Sequence, residues 1–327
     1  MTLLQGINQL IDNISVTDKQ ENSITASINN LDGYLLDKDN DLHIDSTFRN
    51  GSYERDTIIR PLDDIDVFAV LNRDKWKDEF GNLPTPQSVL TKLKNYLNGL
   101  TDYEGTVSQD RPCVTIRLSD KDFDVLPSFR DFGGGYLIPN YDLSSWIYAN
   151  PELLTTNLDS VNRLRNYKVK PTIKAVKYWN RDIGKLIPSY HIEEVAISIF
   201  QMHDGKNQEE MIRCWFENAV YYLRQSKFKS ENDYTTAIKK IEKTRKKLKD
   251  AKGKYDNDDE AGAKLIWKEV FGKEFPAVDA EEVKNFTKSL AAGTMRVGAT
   301  GLLSETAGSS IRPSKGYFGD HETKTIL

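Results

Sequence analysis

Cysteine is nearly absent: Cys113 and Cys214 are the two in 327 residues, and they stand 101 positions apart. That spacing excludes a disulfide framework and predicts two buried, reduced thiols. The four histidines, His43, His191, His203 and His321, are scattered with no metal-ligand spacing; His191 reads as a helix-start residue. No apolar run reaches the roughly eighteen residues that a spanning helix needs. The start, MTLLQGINQLID, lacks a charged leader region and a cleavage site. A soluble, cytoplasmic protein with no membrane partner is therefore expected. The formal net charge of −4 gives no global attraction to nucleic acid, so any basic surface must be local.

What is present suffices for two domains. Hydrophobic residues make up 38% of the chain, adequate for a core at this length. Leu3, Leu4, Ile7, Leu10, Ile11 and Ile14 recur at helical spacing. Thr17 and Gln20 fit a capping box that opens a second helix through Ile24, Ile28, Leu31 and Leu35. From about residue 50 the period shortens, with strand-like runs at 65–71, 113–118 and 122–126 and one amphipathic helix near 87–98. Ser119 to Lys121 reads as a hairpin turn, and Gly133 to Gly135 as a loop or hairpin tip. After about residue 158 the pattern is almost wholly helical. Pro171 suits the first turn of one helix, and Ser189 suits the N-cap of another whose apolar face is Ile192, Val195, Ala196, Ile199 and Phe200. Further helices are expected at about 208–226, 231–254, 259–271 and 279–291, with an irregular tail from Ala292 to Leu327. The expected fold is α+β: a mixed-sheet catalytic half over residues 1–158, including the N-terminal helices, and a helical half over 159–327, with a cleft between them.

One run carries chemistry, GSYERDTIIRPLDDIDVFAVL, beginning at Gly51. In its terminal strand Asp64 and Asp66 alternate with Ile65 and Val67, so both carboxylates leave the same face. A carboxylate pair on a rigid strand suits hard cations such as Mg²⁺, which take oxygen ligands. Gly51-Ser52 can present backbone N–H groups and a hydroxyl to a phosphate. A further strand, DFDVLPSF, adds Asp124, 58 positions after Asp66. If the two strands neighbour each other, three carboxylates converge on one edge and would repel unless cations neutralise them. Two ions held so can clamp the attacking and leaving oxygens of phosphoryl transfer. Asp63 precedes the pair by one residue and points off that face. Arg55 and Thr57 read as supports of the turn.

These residues resemble the nucleotidyltransferase core of 2′-5′-oligoadenylate synthetases and cyclic GMP–AMP synthase. They are closer still to the bacterial cGAS/DncV-like nucleotidyltransferases of anti-phage signalling systems. The resemblance implies a polymerase-β-like core packed against a C-terminal helical domain, with the active site in the intervening cleft. It carries the metal-binding pair to Asp64 and Asp66, the third catalytic and metal-binding aspartate to Asp124, and phosphate binding to Gly51 and Ser52. IKAVKYW and IPSYHIEEV are similar to the family's lysine helix and the following serine-aromatic helix start. They imply triphosphate binding by Lys177 and Ser189 and base stacking by Tyr190. LIWKEVFGKEFP and IRPSKGYFG also look typical of the bacterial members.

Lys174, Lys177 and Arg181 fall at i, i+3 and i+7, a cationic stripe expected to face the triphosphate, so Lys174 joins the nucleotide-binding candidates. KKIEKTRKKLK (239–249) holds seven Lys or Arg and one Glu, and reads as a solvated outer face with Tyr234, Ile238, Ile241, Leu248 and Tyr255 as the inner stripe. The animal sensor's zinc thumb needs a Cys/His cluster that two distant cysteines cannot build, so activation by double-stranded DNA through such a thumb is not expected. The implied activity is template-independent nucleotidyl transfer between nucleoside triphosphates, using two Mg²⁺ ions replaceable by Mn²⁺. The product would be a cyclic di- or trinucleotide second messenger sensed by a separate effector, with the enzyme a monomer. Three alternatives stay open: transfer to an RNA 3′ end, transfer to a protein hydroxyl, and an inactive nucleic-acid-binding relative.

Overall fold

The computed structural model describes residues 1–277 and three short strands within 296–310. Seven strands form one mixed sheet: β1 (Ile44–Arg49), β2 (Ile65–Leu71), β3 (Val107–Asp110), β4 (Cys113–Arg117), β5 (Asp122–Arg130), β6 (Tyr136–Pro139) and β7 (Trp146–Ala149). The order is β1-β2-β5-β4-β3, with β6 on the far end of β5 and β7 on β6. β2 and β5 are parallel and every other pairing in this sheet is antiparallel. The expected strand at 122–126 runs on through Pro127 to Arg130. Pro127 lies between the end of the β4 ladder at Val125 and the start of the β6 ladder at Phe129, where a residue without an N–H is tolerated. The turn at Ser119–Lys121 closes as a hairpin, with the Leu118 N–H donating to the Lys121 carbonyl at 3.0 Å. Gly133–Gly135 forms the tip between β5 and β6.

Eleven α-helices occur among the described residues. α1 (Leu3–Ile14) and α2 (Asp18–Leu35) open on Thr2 and Thr17, each closed by a capping box with a glutamine three residues on. α3 (Gly51–Glu54) is a single turn, α4 (Arg73–Trp76) another, and α5 (Pro86–Asn98) is capped by Thr85. Ile24, Ile28, Leu31 and Leu35 of α2 and Leu90, Leu93 and Leu97 of α5 cover one sheet face, burying Ile65, Val67, Ala69 and Val125. The odd-numbered residues of β2 are thus committed to the core. Its aspartates keep the opposite face.

The helical half comprises α6 (Pro151–Leu164), α7 (Val169–Asp182), α8 (Ser189–Met202), α9 (Gln208–Tyr222), α10 (Glu231–Asp256) and α11 (Glu260–Phe271). Trp179, Phe200, Trp215, Phe216, Trp267, Phe271 and Phe275 fill its core. Leu3, Ile7, Leu10 and Ile14 of α1 lie in that same core, so the first helix packs with the last ones and not under the sheet. The Asn13 amide donates to the Glu274 carbonyl at 2.8 Å, fixing this arrangement. Residue 158, the expected division, falls inside α6.

Other expectations need amendment. Pro188, with φ −57° and ψ 135°, holds the cap position of α8, and Ser189 is its first helical residue. The inner stripe of α10 ends at Ala251, and Tyr255 is exposed. Arg296–Val297, Leu303–Ser304 and Ser309–Ser310 (β8, β9 and β10) pair as a small antiparallel sheet where an irregular tail was expected. The helix expected at 279–291 lies outside the described residues. Both cysteines are buried and unbridged.

Candidate active site

The parallel pairing of β2 with β5 sets the site. In that register Asp66 stands opposite Asp124, on neighbouring strands and the same face. Asp64 precedes the first residue of β2 and shares the face by alternation. Asp64 is exposed, while Asp66 and Asp124 are half-buried. Thr115 of β4 donates its hydroxyl to Asp124 Oδ1 at 2.6 Å, orienting that carboxylate.

Electrostatics tie the three together. Burial pushes the Asp66 carboxyl up to about 6, with repulsion from Asp124 and Asp64 adding to it and Arg55 opposing. Asp64, exposed at its surface but partly desolvated by its neighbours, is raised by that desolvation and then by Asp124, Asp122 and Asp63. Asp124 is raised by burial, against hydrogen bonds from Thr115 and Cys113. Among the described residues no three His, Cys, Asp or Glu side chains converge on a finished metal cage. The aspartates line one face as an open, mutually repelling set of hard oxygen donors, which is the chemistry a divalent cation relieves.

Gly51 rests directly on Asp66. Its φ is +69°, and a Cβ built there would lie 1.6 Å from Asp66 Oδ2. Only glycine combines that backbone with that proximity. The adjacent Asn50 N–H donates to the Asp66 carbonyl at 3.0 Å. Ser52 follows in the short α3 turn, and its carbonyl accepts from the N–H groups of Thr57 (2.8 Å) and Ile58 (3.0 Å). Ser189 is exposed at the head of α8. Among the described residues neither the Ser52 nor the Ser189 hydroxyl has a hydrogen-bond partner in the protein. Tyr190 is 42% exposed, with Lys227 Nζ 5.3 Å from its ring centroid.

The cationic stripe of α7 differs from expectation. Lys177 is buried: Nζ donates to Glu193 Oε1 at 2.7 Å and to Thr57 Oγ1 at 2.9 Å. Lys174 pairs with Asp56 at 2.7 Å. Arg181 pairs with Asp63 at 2.9 Å, and Lys185 meets the same carboxylate at 2.8 Å. The stripe therefore staples α7 to the loop between α3 and β2. Burial opposes ionisation of Asp63, but Lys185 and Arg181 hold its carboxyl below the usual range. Lysine patterning reveals a charged face but not the carboxylates that will meet it.

Glu193 went unnoticed in the sequence. It sits on the buried face of α8, beside Ile192 and one turn before Ala196, with no solvent exposure. Oε2 accepts from Arg55 Nε at 2.7 Å, and Oε1 accepts from Thr57 as well as Lys177. Burial would raise its carboxyl, but Lys177 and Arg55 outweigh that and hold it low. An acidic residue on an apolar helix stripe was the available signal. His191 is buried two positions earlier. Its Nε2 accepts the Arg224 backbone N–H at 3.0 Å, so Nδ1 carries the proton toward Glu194 Oε2 at 2.8 Å.

Comparison with known proteins finds relatives along most of the chain. Residues 1–162 match the SMODS family, described as the Second Messenger Oligonucleotide or Dinucleotide Synthetase domain. A cyclic AMP-AMP-AMP synthase of an Acinetobacter species is 26% identical over 310 residues, covering 84% of this chain and 86% of the relative. Two solved structures share the fold. Escherichia coli MS115-1 CdnC with ATP has a TM-score of 0.65 at 16% identity, over 84% of this chain and 99% of that one. Vibrio cholerae DncV, a cyclic AMP-GMP synthase solved with a linear intermediate, has a TM-score of 0.57 at 12% identity, over 71% and 70%. Residues 1–162 thus carry the SMODS family match, and both halves of the chain share the polymerase-β-like arrangement of sheet and helices with bacterial cGAS/DncV-like nucleotidyltransferases, to which the chain is similar.

Proposed function

We propose that the protein joins nucleoside triphosphates into a cyclic oligonucleotide second messenger and releases pyrophosphate. The observation that carries this reading is the register of Asp66 opposite Asp124, with Gly51 packed onto Asp66. Asp64, Asp66 and Asp124 would hold the divalent cations. When bound, Mg²⁺ supplies charge neutralisation at the α-phosphate and at the attacking and leaving oxygens.

The chain's own residues supply the rest. The Gly51-Ser52 turn receives the triphosphate through its backbone and the free Ser52 hydroxyl, and Ser189 approaches from the helical half. Lys174, paired with Asp56 of the same loop, would add a further cation to the triphosphate contacts. Lys177 enters through Glu193 and Thr57, beneath the turn. The exposed Tyr190 ring offers a stacking surface for a base. Asp124 orients the acceptor ribose hydroxyl and draws on its proton as the oxygen attacks the α-phosphorus. A new phosphodiester forms, the bond to the β-phosphate breaks, and pyrophosphate departs with the electron pair. A second transfer within the linear product closes the ring.

The synthase sharing 26% identity is named for a cyclic trinucleotide of adenylate, which supports cyclic oligoadenylate among the products. A separate effector would sense that product in anti-phage defence, and the enzyme would act in the cytoplasm as a monomer. The test is mass spectrometry of products from all four triphosphates with Mg²⁺. Phosphatase-resistant cyclic oligonucleotides are expected from wild type and are lost in Asp64→Asn and Asp66→Asn. No such product from wild type, or undiminished product from the variants, overturns the proposal.

A further inference from the structure

Glycine adopts positive φ as readily as negative, so nothing within the Gly51-Ser52 turn fixes its shape. The lock comes from outside. Thr57 closes the turn by donating its N–H to the Ser52 carbonyl. The Thr57 hydroxyl donates to Glu193 and accepts from Lys177. Arg55 bridges Glu193 to the Asn50 side chain, 2.7 Å and 3.1 Å away. Both ends of the turn thus refer to one buried carboxylate on α8, in the helical half. Arg55 and Lys177 both meet that carboxylate beneath the turn.

We infer that Glu193 and Thr57 are positioning residues: from α8 they hold the Gly51-Ser52 turn in the shape that receives a triphosphate. This role rests on the function proposed above. It predicts that phosphate binding responds to the Thr57 hydroxyl, although that hydroxyl faces away from any ligand into a protein interior.

The experiment compares wild type with Thr57→Val and Thr57→Ser. Valine keeps the volume and removes the hydroxyl; serine keeps the hydroxyl. Binding of each of the four α,β-methylene nucleoside triphosphates with Mg²⁺ is measured by calorimetry, alongside KM, kcat and the melting temperature. Thr57→Val is expected to weaken binding about tenfold, the size of one charge-assisted hydrogen bond. KM should rise with it and kcat change less. Thr57→Ser is expected to bind within about threefold of wild type, at most about half the free-energy loss of the valine variant. Faster hydrogen exchange at residues 51–55 in Thr57→Val, but not in Thr57→Ser, is the independent readout. Binding by Thr57→Val equal to wild type overturns the role, as does equal weakening in both variants. A wild type that binds none of the four analogues contradicts the proposed function itself, and is told apart because the variants are then irrelevant to the result.

Discussion

A Cβ on Gly51 would lie 1.6 Å from Asp66 Oδ2, so the Gly51-Ser52 turn and that carboxylate are built against each other. Gly51→Ala must therefore displace Asp66 and also strain a backbone at φ +69°. Loss of about 1–3 kcal/mol of stability is expected from the backbone alone, with turnover abolished because Asp66 has moved. Gly134→Ala is the control: its φ is +88° but nothing lies within 4 Å of its Cβ. It should lose stability while still making product. Product formation by Gly51→Ala at the control's rate would contradict the packing argument.

Asp66 is held at about 6 in the metal-free fold, above the ordinary 3.8, chiefly by burial and then by Asp124. A folded-state value above the unfolded one means that folding favours the protonated form. The group's contribution is thus most favourable below about pH 4 and is lost as pH rises through about 6. Asp66→Asn removes that liability. The metal-free variant should be more stable than wild type by about 1–3 kcal/mol near pH 7.5, the gap closing toward pH 4, while losing catalysis. Denaturant titrations at the two pH values read this directly, and a gap independent of pH would contradict it.

Lys177 and Lys174 lie three residues apart on α7 and both expose little of their side chains, yet their carboxylate partners differ sharply. Lys177 meets a carboxylate with no exposure, whereas the Asp56 partner of Lys174 is 71% exposed. Removing one member of a buried pair costs about 3–5 kcal/mol; Glu193 keeps Arg55, so Lys177→Met should fall at the low end. Lys174→Met should cost under about 1 kcal/mol, as exposed pairs do. Equal losses in urea unfolding would mean that the buried cluster carries no special weight.

Tyr190 projects from the head of α8 with its ring 42% exposed. If that ring stacks on a base, Tyr190→Ala should raise KM for the donor triphosphate about tenfold, in line with stacking worth about 1–3 kcal/mol. Tyr190→Phe should not, and neither should shift the melting temperature much, because the ring is outside the core. Unchanged KM in the alanine variant would remove Tyr190 from the site.

The face proposed to react was legible because its signal is local. Two aspartates alternating with Ile65 and Val67 announce a strand with one wet face, and Asp124 repeats the pattern in DFDVL. What escaped depends on distant partners or on elements too short for periodicity. β1, reading IDSTFR, mixes polar and apolar residues as an edge strand does, and the β6–β7 hairpin has four residues a side. The amphipathic stripe of α1 says that it has a partner but not that the partner lies some 260 residues away, at Glu274. The Lys174–Lys177–Arg181 stripe likewise showed its charge and hid Asp56, Glu193 and Asp63. Glu193 was visible only as an acid on an apolar face.

Anomalous diffraction from crystals grown with Mn²⁺ and a non-hydrolysable triphosphate tests the central claim most directly. Two peaks are predicted about 3.5–4 Å apart. Asp64 and Asp66 should each lie within about 2.4 Å of a peak, and Asp124 should ligate the peak nearer the acceptor hydroxyl. Peaks that bypass any one of these carboxylates, with the triphosphate seated away from Gly51-Ser52, would contradict the account.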